Sequence, residues 1–331
     1  MLKLAIIGTG WISEDFVKAS LSTQKYELTA VYSRSLEKAE NFAQKFDSTK
    51  TIKTFSSLDD FFKDDFDLVY IASPNSLHFE HAKKAIKANK NLIVEKPAFS
   101  NPDQLDHIIK LSEINKVHFF EAARNIHEKS YKLIADFLSD KTITGVDFTY
   151  AKYSSKMKDL LSGQTPNTFS AKFSGGALAD LGVYILYASA YFFGQPNKSF
   201  YNATLLDTGV DINGVGVLDY GDFRLALKTG KNLTSNLPAE IYTTDGTLTL
   251  DEITSISFAK FKSFDGQEIT LDISQNEHAM AEEADDFADI LNNPKEHTRT
   301  YEKLLELARI VSATSFAMRQ DAGIIFEADK K

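Results

Sequence analysis

The sequence contains no cysteine. That one absence excludes disulfides, thiolate nucleophiles and zinc–thiolate centres together, and it fits a reducing compartment. No basic block is present either. The formal net charge is −9, with acidic and basic side chains interspersed, so binding to nucleic acid through its phosphates is not expected. Long apolar runs are also missing. The longest, residues 183–193, is too short for a bilayer and carries several tyrosines. The first apolar run is too short for a secretory signal, and Glu14 and Asp15 follow it closely. No repeat, low-complexity tract or metal-ligand set stands out. These absences point to a soluble cytoplasmic protein, without membrane or nucleic acid as partner.

What is present is ordinary globular composition, 43% apolar and 25% charged, over 331 residues. That length suits about two domains. The organising stretch is Leu4-Ala5-Ile6-Ile7-Gly8-Thr9-Gly10-Trp11-Ile12-Ser13. A short apolar strand breaks at two glycines and runs straight into a helical pattern. In that order a G-x-G turn points to dinucleotide binding. Gly8 permits the sharp turn, Gly10 lets a diphosphate approach the backbone, and the helix N-terminus offers free N–H groups. Ser13 occupies the third glycine position, so the motif is imperfect, and a plain strand–helix turn is the alternative.

Strands and helices alternate to about residue 120. Apolar strands are read at residues 28–32, 68–72, 91–94 and 117–120. Helices are read from the spacing of Leu36, Ala39 and Phe42, with Ser35 as N-cap, from Phe79, Ala82 and Ile86, and after Asn101-Pro102. Alternation of this kind predicts a parallel, doubly wound sheet. Its strand tips carry candidate ligand contacts. Ser33-Arg34 ends the second strand, where NAD-selective folds place a carboxylate for the ribose. A guanidinium there suits a 2′-phosphate, which favours NADP, with NAD as the alternative. Ser73-Pro74-Asn75, with His78 nearby, follows another strand on the same edge. Glu95-Lys96-Pro97 follows the next, and Pro97 keeps Lys96 extended. A lysine held there can donate to a substrate hydroxyl or carbonyl. A solvated surface lysine is the plain alternative.

After residue 120 the pattern changes. One more helix is read up to about residue 140. Then come alternating runs at 146–151, 198–206, 214–219, 223–227, 239–242 and 247–250, with turns at Asp245-Gly246 and Asp265-Gly266. The expectation is an α+β domain with a large, mostly antiparallel sheet. Its open face would be covered by another copy in a homodimer or tetramer. Between two of the strand regions lies Gly175-Gly176 and a helix on which Asp180 and Tyr184 are four residues apart. Both fall on one face. With Lys96 they would form a proton-transfer group; a packing helix with a buried tyrosine is the alternative. Two later helices, at 277–291 and 304–318, are assigned no chemistry.

Three motifs, Gly8 to Ser13, Glu95-Lys96-Pro97 and Gly175 to Tyr184, occur in an order and separation that resemble the glucose–fructose oxidoreductase / inositol dehydrogenase / MocA family over essentially the whole chain. Most of that family carries histidine where this chain has Tyr184. The substitution resembles its dimeric dihydrodiol dehydrogenase branch, which also writes Ile-Ser after the glycine turn. The resemblance implies Lys96 and Tyr184 as proton-transfer pair, with Asp180 assisting, and a cis bond at Lys96-Pro97. It also implies a nucleotide site of Gly8, Thr9, Gly10, Trp11, Ile12, Ser33, Arg34, Ser73, Pro74, Asn75, His78, Glu95 and Lys96. The family's proline after the sixth strand is missing, and Arg124-Asn125-Ile126-His127 stands in that region.

The expectation is thus an NADP-dependent oxidoreductase. It would have an NADP-binding domain at residues 1–120 and a substrate and oligomerisation domain at 121–331. Hydride would pass between nicotinamide and a CH–OH or C=O carbon of a small sugar- or diol-like substrate. The rival is a non-catalytic sensor of nucleotide or sugar on the same fold.

Overall fold

The computed structural model describes residues 1–47, 49 and 51–330, which pack as two units interleaved along the chain. The first unit comprises residues 1–99, 103–122 and 276–306; the second comprises 100–102, 123–275 and 307–331. A single boundary near residue 120 therefore does not describe the packing, because residues 276–306 return to the first unit.

In the first unit six strands run parallel: β1 (Leu2–Ile7), β2 (Tyr26–Tyr32), β3 (Lys53–Phe55), β4 (Leu68–Ile71), β5 (Asn91–Glu95) and β6 (Phe119–Ala122). Their order is β3-β2-β1-β4-β5-β6. The winding reverses at β1 and β4, and ligands of such sheets sit outside the carboxyl ends of the strands at that point. β4 is buried at every residue, as expected for a strand covered on both faces. The connections run through helices at Trp11–Ser22, Leu36–Ala43, Asn75–Lys87 and Pro102–Asn115. Ser35 caps the second of these, accepting from Lys38 N at 3.4 Å.

Amphipathic packing explains the return of residues 276–306. The helix Ala281–Asn292 buries Ala284, Phe287, Ala288 and Ile290 in the same core as Leu4, Ile6 and Phe16. Burying a large apolar side chain is worth about 1.5–3 kcal/mol. The Phe287 ring lies 4.7 Å from that of Phe120. Tyr26 donates to Ala284 O at 2.5 Å, and Lys25 pairs with Asp285 and Asp289 at 2.7 and 2.6 Å.

The second unit holds an eight-stranded sheet of β7 (Ile143–Ala151), β8 (Lys198–Leu205), β9 (Asp211–Asp219), β10 (Arg224–Gly230), β11 (Ala239–Thr243), β12 (Gly246–Leu250), β13 (Ala259–Ser263) and β14 (Glu268–Thr270). The order is β14-β13-β12-β11-β7-β10-β9-β8. β7 and β10 pair in parallel, and the other neighbours are antiparallel. The mostly antiparallel sheet is therefore present, with β13 and β14 added beyond the strands read from sequence. A helical run, Ala171–Phe193, packs on β7, β9 and β10. By length and composition it could cross a membrane, contrary to the shorter 183–193 segment read from sequence. It is packed as a core helix, with most of its apolar length buried. Elsewhere on the sheet Phe200, Val215 and Val217 are exposed and line a groove of about 620 Å³ with Asp147 and Lys228.

Candidate active site

The first unit presents its loops at the carboxyl ends of β1, β2, β4 and β5. Gly8 has φ +103°, and a Cβ there would lie 2.5 Å from Ala72 O, so only glycine lets β1 and β4 approach at this turn. Gly10 is the N-cap of the Trp11–Ser22 helix and brings no side-chain cap. A Cβ on Gly10 would meet nothing within 4 Å, which leaves open space over the first-turn amides. Such a cradle suits a diphosphate. Thr9 and Ile12 are half-buried and Trp11 is exposed. Ser13 is fully buried, and its Oγ has no hydrogen-bond partner among the described residues. The third motif position thus faces the packing interior, where a small residue is needed and serine serves.

At the tip of β2, Ser33 N donates to Phe55 O at 3.1 Å. Arg34 is exposed, and its guanidinium makes no hydrogen bond or ion pair within the described residues. Its charge reaches His81. Burial pushes that imidazole down to about 4, and the positive charges of Lys84 and Arg34 add to the effect. Neutral His81 places Nδ1 3.0 Å from Ser73 Oγ. Pro74 and Asn75 are half-buried at the start of the next helix.

Two of the expected cofactor contacts, His78 and Glu95, are engaged with the loops around them. His78 is fully buried, with Nε2 2.7 Å from Ser73 O and Nδ1 3.1 Å from Ala98 O. It ties the loop after β4 to the loop after β5. Glu95 is also buried; its carboxylate is held by Tyr70 Oη and accepts from Lys96 N at 3.1 Å. Both act on the loops around Ser73 and Lys96 and offer little surface of their own. Lys96 is half-buried, and the Lys96-Pro97 bond is cis.

In the second unit the decisive turn begins at Gly176. Its φ is +117°, and a Cβ there would collide with Asp211 Oδ1. Asp211 is buried on β9 and accepts from Leu178 N and Tyr201 Oη, each at 2.7 Å; burial raises its carboxyl pKa. The chain then makes a π-helical turn, Leu178–Gly182, before the α-helix Val183–Phe193. Single π turns inside helices are frequent at functional sites.

Asp180 projects from this turn. Its side chain is 36% exposed, and Oδ2 pairs with Lys231 Nζ while accepting from Thr168 Oγ1 at 3.2 Å. Tyr184, one turn on, is half-buried. Its ring stands edge-on to Tyr150 at 5.6 Å, and the Arg124 guanidinium lies 5.8 Å from the ring centroid. Asn125 Nδ2 donates to Tyr184 O at 3.3 Å and to Tyr131 Oη at 2.8 Å. The segment that replaces the family's proline therefore holds Tyr184 from two sides. Behind Arg124, at 3.7 Å, sits Glu128, pushed up to about 7 by burial despite the hydrogen bonds and the guanidinium that oppose it.

Lys231, Thr168 and Glu128 were not singled out from sequence, and Arg124 was named only as part of the segment that stands in place of the family's proline. Lys231 does have a sequence signal. Leu225, Leu227 and Thr229 alternate as buried side chains along β10, and Lys231 continues their parity. A lysine on the inward face of an alternating strand requires a partner. Near Asp180, Thr168 ends a polar stretch, residues 162–168, that lines a cavity of about 450 Å³ through Gln164, Thr165 and Asn167.

Comparison with known proteins gives a consistent result. Residues 2–122 match the family model described as an oxidoreductase family with NAD-binding Rossmann fold, and residues 137–249 match the GFO/IDH/MocA C-terminal domain. The chain is 37% identical over 330 residues to the uncharacterized oxidoreductase YgjR of Escherichia coli (strain K12), covering 99% of each chain. It is 34% identical over 334 residues to the scyllo-inositol 2-dehydrogenase (NADP(+)) IolU of Bacillus subtilis (strain 168), covering 100% of each. Among solved structures it is similar in fold to KijD10, a 3-ketoreductase from Actinomadura kijaniata in complex with NADP and TDP-benzene. The TM-score is 0.83 at 20% identity, covering 98% of this chain and 99% of that one.

Proposed function

The chain belongs to the GFO/IDH/MocA family of oxidoreductases with an NAD-binding Rossmann fold, and from that premise we propose that it is an NADP-dependent dehydrogenase or reductase of a small polyhydroxylated substrate. The nicotinamide, when bound, supplies or accepts hydride. Amides of the first turn after Gly10 hold the diphosphate, and Arg34 with Ser33 holds the 2′-phosphate. Tyr184 Oη gives or takes the proton of the substrate oxygen, Lys96 Nζ donates a hydrogen bond to the same oxygen, and Asp180 orients the substrate hydroxyl. The reading rests chiefly on one observation: Asp180 and Tyr184 lie one helical turn apart, both partly accessible, each fixed by side chains of its own unit. Amide and hydroxyl groups around Thr168 suit a polyol, and the relative IolU is named for an inositol. Its place is the cytoplasm, as a homodimer or tetramer joined through the sheet face that carries Phe200, Val215 and Val217.

The test is turnover by the purified protein with NADP⁺ or NADPH across a panel of aldoses, inositols, their keto forms and vicinal diols. Stoichiometric change in nicotinamide absorbance with at least one of them is expected. Tight nucleotide binding without turnover of any would replace this reading with the sensor. Light scattering tests the assembly: Val217→Glu should dissociate it, and a monomeric wild type would refute it.

A further inference from the structure

We propose that Lys231 is a positioning residue for the reaction, its buried ammonium fixing the Asp180 carboxylate in one charge state and one orientation; this rests on the role given to Asp180 and Tyr184 above. Lys231 follows directly on β10. Its backbone is pinned on both sides, N donating to Ile212 O at 2.8 Å and O accepting from Ser154 N at 2.8 Å. The side chain is only 4% exposed, and Nζ lies 5.6 Å from the Phe169 ring centroid. Among the described residues the hydrogen-bond partner of that ammonium is Asp180 alone. Asp211, the other carboxylate at this turn, is engaged by Leu178 N and Tyr201 Oη. Arg124, a cation beside the Tyr184 ring, stands with Glu128.

The asymmetry of the pair carries the argument. A buried ammonium is costly, and an apolar side chain of the same volume serves stability as well or better. Here the locked, buried member is the lysine, and the accessible member is the carboxylate that faces chemistry. Two donors, Lys231 Nζ and Thr168 Oγ1, converge on the same oxygen, Oδ2. Donors of this kind favour the ionised form and hold the plane of the carboxylate. The lysine charge also offsets that of Asp180 one turn from the Tyr184 phenol. Lys231 reaches the reaction only through Asp180.

The experiment compares Lys231→Met, Lys231→Arg, Asp180→Asn and the Asp180→Asn/Lys231→Met double variant on a substrate the wild type turns over. Lys231→Met should lower kcat about 100-fold, the scale of a small misplacement of a reacting group. NADPH affinity should stay within about twofold of wild type, since nothing that holds the nucleotide is touched. Lys231→Arg should restore most of kcat, and the double variant should be no slower than Asp180→Asn alone. Unchanged kcat in Lys231→Met, or losses that multiply in the double variant, would overturn the proposal. A second readout needs no turnover. In crystals of Lys231→Met, or of Lys231→Gln should the methionine variant not fold, the Asp180 carboxylate should leave Thr168. If it kept its place there, the proposal would fail whether or not a substrate had been found. Absence of turnover in the wild type would count against the functional reading alone.

Discussion

Arg319 and Asp329 form an ion pair at 2.7 Å in which both side chains are almost wholly buried, 2% and 5% exposed. The guanidinium also donates to Ser100 O at 2.8 Å and to Ile324 O at 3.3 Å, and lies 3.8 Å from the Phe326 ring centroid. It thus fixes the end of the chain within the second unit. Removing one partner of such a pair strands a buried charge. Arg319→Met should destabilise the protein by roughly 3–5 kcal/mol, measured by urea unfolding. Asp329→Asn, which keeps a hydrogen-bond acceptor, should cost less.

Tyr184→Phe keeps the ring against Tyr150 and Arg124 and removes only the hydroxyl. Turnover should fall by about 10²–10⁴, the usual worth of a positioned proton donor, and Lys96→Ala should do the same. The dissociation constant of NADPH, followed by fluorescence titration, should be nearly unchanged in Tyr184→Phe. Wild-type turnover in both variants would remove the assigned pair from the chemistry.

Arg34 is exposed at the tip of β2, and its guanidinium has no hydrogen-bond or ion-pair partner among the described residues. Charge-assisted contacts of a guanidinium with phosphate are worth about 1.5–3 kcal/mol. Arg34→Ala should therefore weaken NADPH by about tenfold or more and leave NADH unaffected. Equal losses for the two nucleotides would mean that Arg34 does not read the 2′-phosphate.

Glu128 supplies a pH dependence of stability. Burial raises its carboxyl from 4.5 to about 7 in the folded protein. The folded state then binds this proton more tightly than the unfolded chain. The stabilisation is fully present below about pH 4.5 and is lost as pH rises to about 7, by on the order of 3 kcal/mol. Glu128→Gln carries no titrating proton, so the difference in unfolding free energy between it and wild type should change over that window and be flat on either side. A constant difference from pH 4 to 8 would show that Glu128 ionises normally.

Much of the fold was legible because its signals are local. The apolar runs of β1, β4 and β5, the glycines between β1 and its helix, and the cap at Ser35 each reflect a period or a turn within a few residues. β3 is three residues long and half-exposed, too short for a period to show. The π turn at Leu178–Gly182 leaves no local trace, because it depends on Asp211, more than thirty residues away, accepting from Leu178 N. Among the site residues, strand-end positions were readable from the fold class. His78 and Glu95 were read as ligand contacts for the same reason, and their burial against the loops after β4 and β5 was not legible from position alone. Lys231 could be read as an inward-facing lysine from the alternation of β10, but its partner, Asp180, lies 51 residues away, and spacing does not show which groups pair.

The interleaving of the chain limits how this protein can be reshuffled. The Rossmann unit depends on Met280, Ala284, Phe287 and Ile290 to close one side of its core. A recombination event with one crossover near residue 122 would deliver a sheet with that side uncovered. Exchange of the sheet domain for another requires at least three junctions, before residue 123, after 275 and after 306, because the chain beyond 306 belongs to the second unit as well. A replacement for the sheet domain would therefore have to enter as an insertion that leaves residues 276–306 in place.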